Sequence, residues 1–122
     1  MTKILLADDD VAFRESLAMS LENEGYSVTQ AVDGRDALKK LEEDNSFELV
    51  ILDIIMPEMD GIEFISKVRK MDKPIKTIAI SGGGRYGGQE TYLRMTKALG
   101  AKAVIEKPFT TKQILSLIKE VL

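Results

Sequence analysis

Leu49-Val50-Ile51-Leu52-Asp53 reads LVILD, four apolar residues without a polar interruption, closed by a carboxylate. A strand with one wet face alternates, so an unbroken apolar run predicts a strand covered on both faces, in the middle of a parallel sheet. Four further short runs share the chain with it: Lys3 to Asp8, Ser27 to Ala31, Thr77 to Ser81 and Ala103 to Glu106. Segments of helical periodicity separate them, and that alternation calls for parallel strands with helices on both faces. The second run, continued as VTQAV, alternates more than LVILD and is expected at the periphery.

The helical segments carry their own boundaries. Phe13, Leu17 and Leu21 recur at steps of four, with Asp10 as the expected N-cap and Gly25 as the expected C-cap. A short second helix from Gly34 to Glu43 turns Ala37, Leu38 and Leu41 inward. The third offers Ile62, Ile65 and Val68 with Phe64 and Met71 alongside, and must stop before Pro74. A fourth segment, from Gln89, has Tyr92, Met95 and Leu99 on one stripe and Leu93 off it, whereas Ile114, Leu117, Ile118 and Val121 make a clean stripe in the last. With right-handed crossovers, the expected fold is α/β, a doubly wound five-stranded parallel sheet in the order 2-1-3-4-5. Its ligand site is expected at the carboxyl ends of strands one and three, where the winding reverses.

Composition narrows the chemistry. A chain of 122 residues predicts one domain, residues 1–122, with no second core and no output domain. There is no cysteine and no histidine, so thiolate chemistry and the commonest metal ligand and general base are excluded. Seventeen basic and 20 acidic residues are mixed along the chain, for a net charge of −3, and no basic stripe points to nucleic acid. Apolar runs stop at four residues, as in Ile4-Leu5-Leu6-Ala7, so no membrane span or signal peptide is expected and the location expected is cytoplasmic.

The expected strand ends are rich in charge. Strand one closes on Asp8-Asp9, strand three on Asp53 and strand four on Ser81, and Lys107 follows strand five. Asp8 and Asp9 would point to opposite faces of a regular strand, so the chain must turn there for both to meet Asp53. Two unit charges 4 Å apart cost about 4 kcal/mol at an effective dielectric of 20, so three gathered carboxylates should take up a proton or a cation. Oxygen ligands alone favour Mg²⁺ over zinc, and an open coordination position suggests phosphoryl chemistry. Lys107 would stand two strands from Asp53, roughly 9–10 Å, a gap for a long side chain. Ser81 can donate its hydroxyl to a phosphoryl oxygen. Asp53, central to all of them, is the expected nucleophile, forming an acyl phosphate by in-line attack.

Taken together, ILLADDD, LVILDIIMPEMDG, the Ser81-Gly82 pair and IEKPF resemble the receiver domains of bacterial two-component response regulators over essentially the whole chain. The resemblance implies a flavodoxin-like (βα)5 three-layer sandwich and a stand-alone receiver whose Asp53 is phosphorylated by a sensor histidine kinase or histidine phosphotransfer protein. It implies that Asp8, Asp9, Asp53 and the backbone carbonyl of Ile55 hold Mg²⁺ or Mn²⁺. It also implies that Ser81, Lys107 and the Gly82 amide meet the phosphoryl group and that the Lys107-Pro108 bond is cis. A downstream effector protein would read the change, through the segment after Ser81 and the face of the fourth helical segment, strand five and the last helix. Such a protein catalyses only its own phosphorylation and dephosphorylation and is not otherwise an enzyme.

Several features invite other readings. Gly82, Gly84 and Gly87 in SGGGRYGG have the spacing of a dinucleotide fingerprint, with Glu106 downstream, but that motif belongs in the first strand-to-helix turn, here filled by aspartates. The glycines therefore read as slack in a loop, and MPEMDG as a turn that starts helix three at Asp60. Val104 stands where the family often has an aromatic switch residue, and Arg85 and Tyr86 in the longer loop are candidates to replace part of it. A haloacid-dehalogenase-type phosphatase would want a second Asp where Ile55 stands. A pseudo-receiver, binding partners without phosphorylation, would not need the complete acidic and lysine set.

Overall fold

All five apolar runs become strands of one parallel sheet: β1 (Lys3–Ala7), β2 (Ser27–Ala31), β3 (Leu49–Asp53), β4 (Lys76–Ser81) and β5 (Ala103–Glu106). Their order is β2-β1-β3-β4-β5, the doubly wound order expected. The computed structural model describes residues 1–54, 61–71, 75–81 and 100–122, the side chains of residues 61 and 62 excepted. The described helices are α1 (Val11–Asn23), α2 (Gly34–Glu43), α3 (Gly61–Arg69) and α4 (Thr111–Val121), the last being the fifth helical segment of the sequence. The expected helix bearing Tyr92, Leu93, Met95 and Leu99, the MPEMDG turn before Gly61 and the Gly82–Gly88 loop lie outside the described residues.

Every residue of β3 is buried, as its unbroken apolar run requires, while β2 at the edge keeps four partly or fully exposed positions. Successive strand residues face opposite ways, and the two faces hold separate cores. Leu5, Ala7, Val50, Leu52 and Ala79 pack with Ala37 and Leu41 of α2 and Phe64, Ile65 and Val68 of α3. Ile4, Leu6, Leu49, Ile51, Ile78 and Ile80 pack with Leu17, Ala18 and Leu21 of α1 and Ile114 and Ile118 of α4. The sheet is thus the middle of three layers, with Leu6, Ile51, Ile78 and Ala103 in register across four strands.

Helix ends are fixed by local chemistry. Asp10 caps α1 by accepting the Phe13 amide at 3.2 Å, and Asp33 caps α2 by accepting the Asp36 amide at 2.8 Å. Thr110 and Gln113 form a reciprocal capping box at α4, each such cap contributing about 1 kcal/mol. Gly25 closes α1 with φ of 96°, where its amide and that of Tyr26 reach the Glu22 and Leu21 carbonyls at 3.0 and 3.2 Å. That is the double bond of a Schellman end, which favours glycine at this position.

Two strand boundaries differ from expectation, and at β4 the strand simply begins one residue early, at Lys76, where Lys76 pairs with Leu49 of β3. β1 ends at Ala7 and not at Asp8, because the Asp8 carboxylate accepts the Asp10 amide at 2.9 Å and turns the chain out of the strand. The turn required for Asp8 and Asp9 to meet is therefore made by Asp8 itself.

Candidate functional site

The face that packs on α1 and α4 is carried by Ile4 and Leu6 in β1, Leu49 and Ile51 in β3, and Ala103 and Ile105 in β5. Two residues further on in each strand's direction stand Asp8, Asp53 and Lys107. The period of two that builds the core thus delivers two acids and a base to the same end of the same face. Lys107 spans the intervening strand: its ammonium donates to Asp8 Oδ2 and Asp53 Oδ2, at 3.2 Å each. Asp8 is fully buried, the Asp53 side chain is 11% exposed and the Lys107 side chain 22%. Asp9, exposed on the turn, completes a cluster in which one carboxylate oxygen from each of Asp8, Asp9 and Asp53 lies within 4.8 Å of the others.

The strand ends are tied together at this level. The Ile54 amide donates to the Ile80 carbonyl at 3.0 Å, and the Lys107 amide to the Ser81 carbonyl at 2.8 Å. Ser81, 4% exposed, closes β4 beside β3, and the Lys107-Pro108 bond is cis, as the resemblance implied. Sequence reasoning placed Asp8, Asp9, Asp53 and Lys107 together, and the structure brings them together. Ser81 stands at the expected strand end, while Ile55 and Gly82 lie outside the described residues.

Three carboxylates face one ammonium, a formal surplus of two negative charges among these side chains. Burial is the largest influence on Asp8 and pushes its pKa up; repulsion from Asp53 adds to this, against the Asp10 hydrogen bond and the charge of Lys107. Burial works the other way on Lys107, but attraction to Asp53 and Asp8, with hydrogen bonds to both, outweighs it and raises its pKa. Lys107 therefore stays charged, a fixed cation and not a base. An all-oxygen cluster with surplus negative charge fits a hard divalent cation.

Two contributors escaped sequence reasoning. Arg14, 7% exposed, lies between apolar stripe positions of α1. Its guanidinium donates to the Asp8 carbonyl at 2.6 Å and to Gln30 Oε1 at 3.0 Å, clamping the turn to β2. Phe13, read only as a member of the stripe, puts its ring under the Lys107 ammonium, 4.0 Å from the centroid, and meets the Phe109 ring edge-on at 5.8 Å. The available signals were a basic residue inside a helix and aromatic residues close to Asp10 and Lys107.

A carboxylate cluster with one lysine, at the switch point of a 2-1-3-4-5 sheet, marks the ligand site of a doubly wound α/β protein. The profile of the response regulator receiver domain matches residues 4–119. A transcriptional regulatory protein CpxR homolog of Haemophilus influenzae is 38% identical over 125 residues, covering all of this chain and 51% of that protein. The response regulator receiver protein CpdR of Brucella abortus is 34% identical over 122 residues, covering 100% of this chain and 98% of its own. Among solved structures, the chemotaxis protein CheY4 of Vibrio cholerae superposes with a TM-score of 0.87 at 31% identity, covering 100% of this chain and 99% of that one. The chain belongs to the response regulator receiver domain family, which works in two-component phosphorelay signalling by accepting phosphoryl groups. It spans about half the length of the transcriptional regulator and nearly all of the receiver protein. No helix among the described residues is long and apolar enough to cross a membrane.

Proposed function

We propose that Asp53 is the phosphoacceptor, taking its phosphoryl group from a phosphohistidine on a sensor histidine kinase or histidine phosphotransfer protein. The observation that carries this is the Lys107 ammonium held 3.2 Å from both Asp8 and Asp53, with Asp9 completing the acidic cluster. An Asp53 carboxylate oxygen bonds to phosphorus as the phosphorus–nitrogen bond breaks, and the departing imidazole keeps the electron pair and takes a proton from solvent. Lys107 pairs with a phosphoryl oxygen as charge moves outward, and the Ser81 hydroxyl and Gly82 amide donate to the others. Asp8, Asp9, Asp53 and the Ile55 carbonyl would hold Mg²⁺ or Mn²⁺, which would supply positive charge to balance the phosphoryl oxygens.

Water later cleaves the acyl phosphate, so the chain acts on no substrate but its own phosphoryl group. The output runs through the Gly82–Gly88 loop and the face of the fourth helical segment, β5 and α4, read by an effector protein in the cytoplasm. Incubation with Mg²⁺ and acetyl phosphate, followed by intact mass measurement, tests the reading. A gain of one phosphoryl group, or release of phosphate, that Asp53→Asn abolishes is the expected result. An unchanged mass with no phosphate release contradicts it.

A further inference from the structure

We propose that Phe13 is a positioning residue for Lys107: its ring, braced edge-on by Phe109, holds the ammonium between Asp8 and Asp53 and so sets the rate of phosphoryl acceptance. The proposal rests on Asp53 being the acceptor. A lysine side chain is a flexible stem that loses rotamer freedom when fixed. Two 3.2 Å hydrogen bonds oppose that loss only while both carboxylates are available. Transfer to Asp53 alters one of these partners, whereas the ring contact at 4.0 Å does not depend on what Asp53 carries.

The ring face is the negative side of the aromatic quadrupole and attracts the ammonium. Phe109 meets it at 88°, fixing Phe13 from the segment that also carries Lys107. Core packing does not demand the aromatic group. Phe13 is only partly buried, and Leu17, Ala18 and Leu21 carry the buried apolar face of α1. A leucine at position 13 would fill the stripe but present no π face, so packing and cation holding are separable.

The test compares the wild type with Phe13→Leu and Phe13→Tyr. In proton NMR spectra, the Lys107 ε-methylene signal of the wild type and Phe13→Tyr should be shifted upfield by the ring, and Phe13→Leu should lose that shift. Phosphoryl uptake from acetyl phosphate should slow about 3- to 30-fold in Phe13→Leu, the range of a partly desolvated cation–π contact, and recover in Phe13→Tyr. Mg²⁺ affinity, measured by calorimetry, should stay within about twofold, since cation–π loss leaves the acidic ligands in place. An unmoved methylene signal, a wild-type rate in Phe13→Leu, or a rate loss that Phe13→Tyr does not restore overturns the proposal. A wild type that accepts no phosphoryl group overturns both it and the acceptor assignment, whereas normal wild-type uptake with an unaffected Phe13→Leu variant overturns this proposal alone.

Discussion

Lys3 and Lys107 stand at opposite ends of the sheet in surroundings built from the same parts. Lys3 is paired with Asp44, donates to Ser46 Oγ at 2.9 Å and lies over the Phe47 ring at 4.7 Å. Lys107 is paired with Asp8 and Asp53 and lies over Phe13 at 4.0 Å. Burial and stoichiometry separate them. At the Lys3 end the side chains are 29% and 40% exposed, one base meets one acid, and hydrogen bonds from Lys3 and then Ser46 hold Asp44 well below the usual carboxylate range. At the Lys107 end Asp8 is fully buried, acids outnumber the base, and burial raises the Asp8 pKa. A concavity lined by Leu41, Asp44, Phe47, Met71 and Ile75 opens beside Lys3, yet the unbalanced charge lies at the other end. A balanced ion pair is a fastening, while a largely buried cluster with surplus negative charge is poised to bind a cation.

Breaking the pairs should expose this difference. Lys107→Met should cut phosphoryl uptake roughly 100-fold, as loss of one preorganised donor to a transferring group does. It should also tighten Mg²⁺ binding, because a competing cation is gone; calorimetric titration and uptake kinetics measure the two. Lys3→Met should leave both quantities at wild-type values. An equal loss in the two variants would dissolve the distinction.

Asp8→Asn gives the next largest effect, of opposite sign to ordinary site damage. Removing a buried like charge should stabilise the protein without added metal by about 1 kcal/mol, a rise in Tm of roughly 3–5 °C for a domain of this size. Mg²⁺ affinity should fall about tenfold or more with the loss of a ligand charge. A lower Tm would mean that Asp8 contributes more through its hydrogen bonds than it costs through burial.

The smallest effect is at Asp44. Its depressed pKa contributes stability that is present above the unfolded value of about 3.9 and is lost as pH falls through the lower folded value. Asp44→Asn should therefore lie slightly below wild type in Tm at pH 7 and converge with it in acid. A difference that persists unchanged below pH 3 would show that the pair does not act through the charge of Asp44.

Much of this was legible in the residues, for identifiable reasons. LVILD has no polar residue before its closing Asp53 to give it a wet face, so a central place for β3 was expected, and the helical segments between runs left few sheet orders, of which 2-1-3-4-5 was favoured. Asp53 and Lys107 were readable because each falls where a strand of known period ends. Less legible were contacts that cross the sequence between partners of ordinary type. Closeness to Asp10 was the local signal at Phe13, and it does not point to a lysine 94 positions later as the partner; Arg14, a basic residue inside a helix, resembles any helix-surface arginine until the Asp8 turn comes within 2.6 Å of it. The Lys3, Asp44 and Phe47 group was invisible for the same reason, since exposed charges carry no periodicity. The end of β1 moved by one residue because a side chain, not the backbone pattern, decides that turn.

The central claim is that Asp53, among three neighbouring carboxylates, takes the phosphoryl group. Reductive trapping tests it directly: borohydride converts an acyl phosphate to the corresponding alcohol, and peptide mass spectrometry locates the altered residue. After treatment with acetyl phosphate and Mg²⁺, homoserine should appear at position 53 and nowhere else. Homoserine at position 8 or 9, or an unaltered position 53 in protein that has gained a phosphoryl group, would contradict the account.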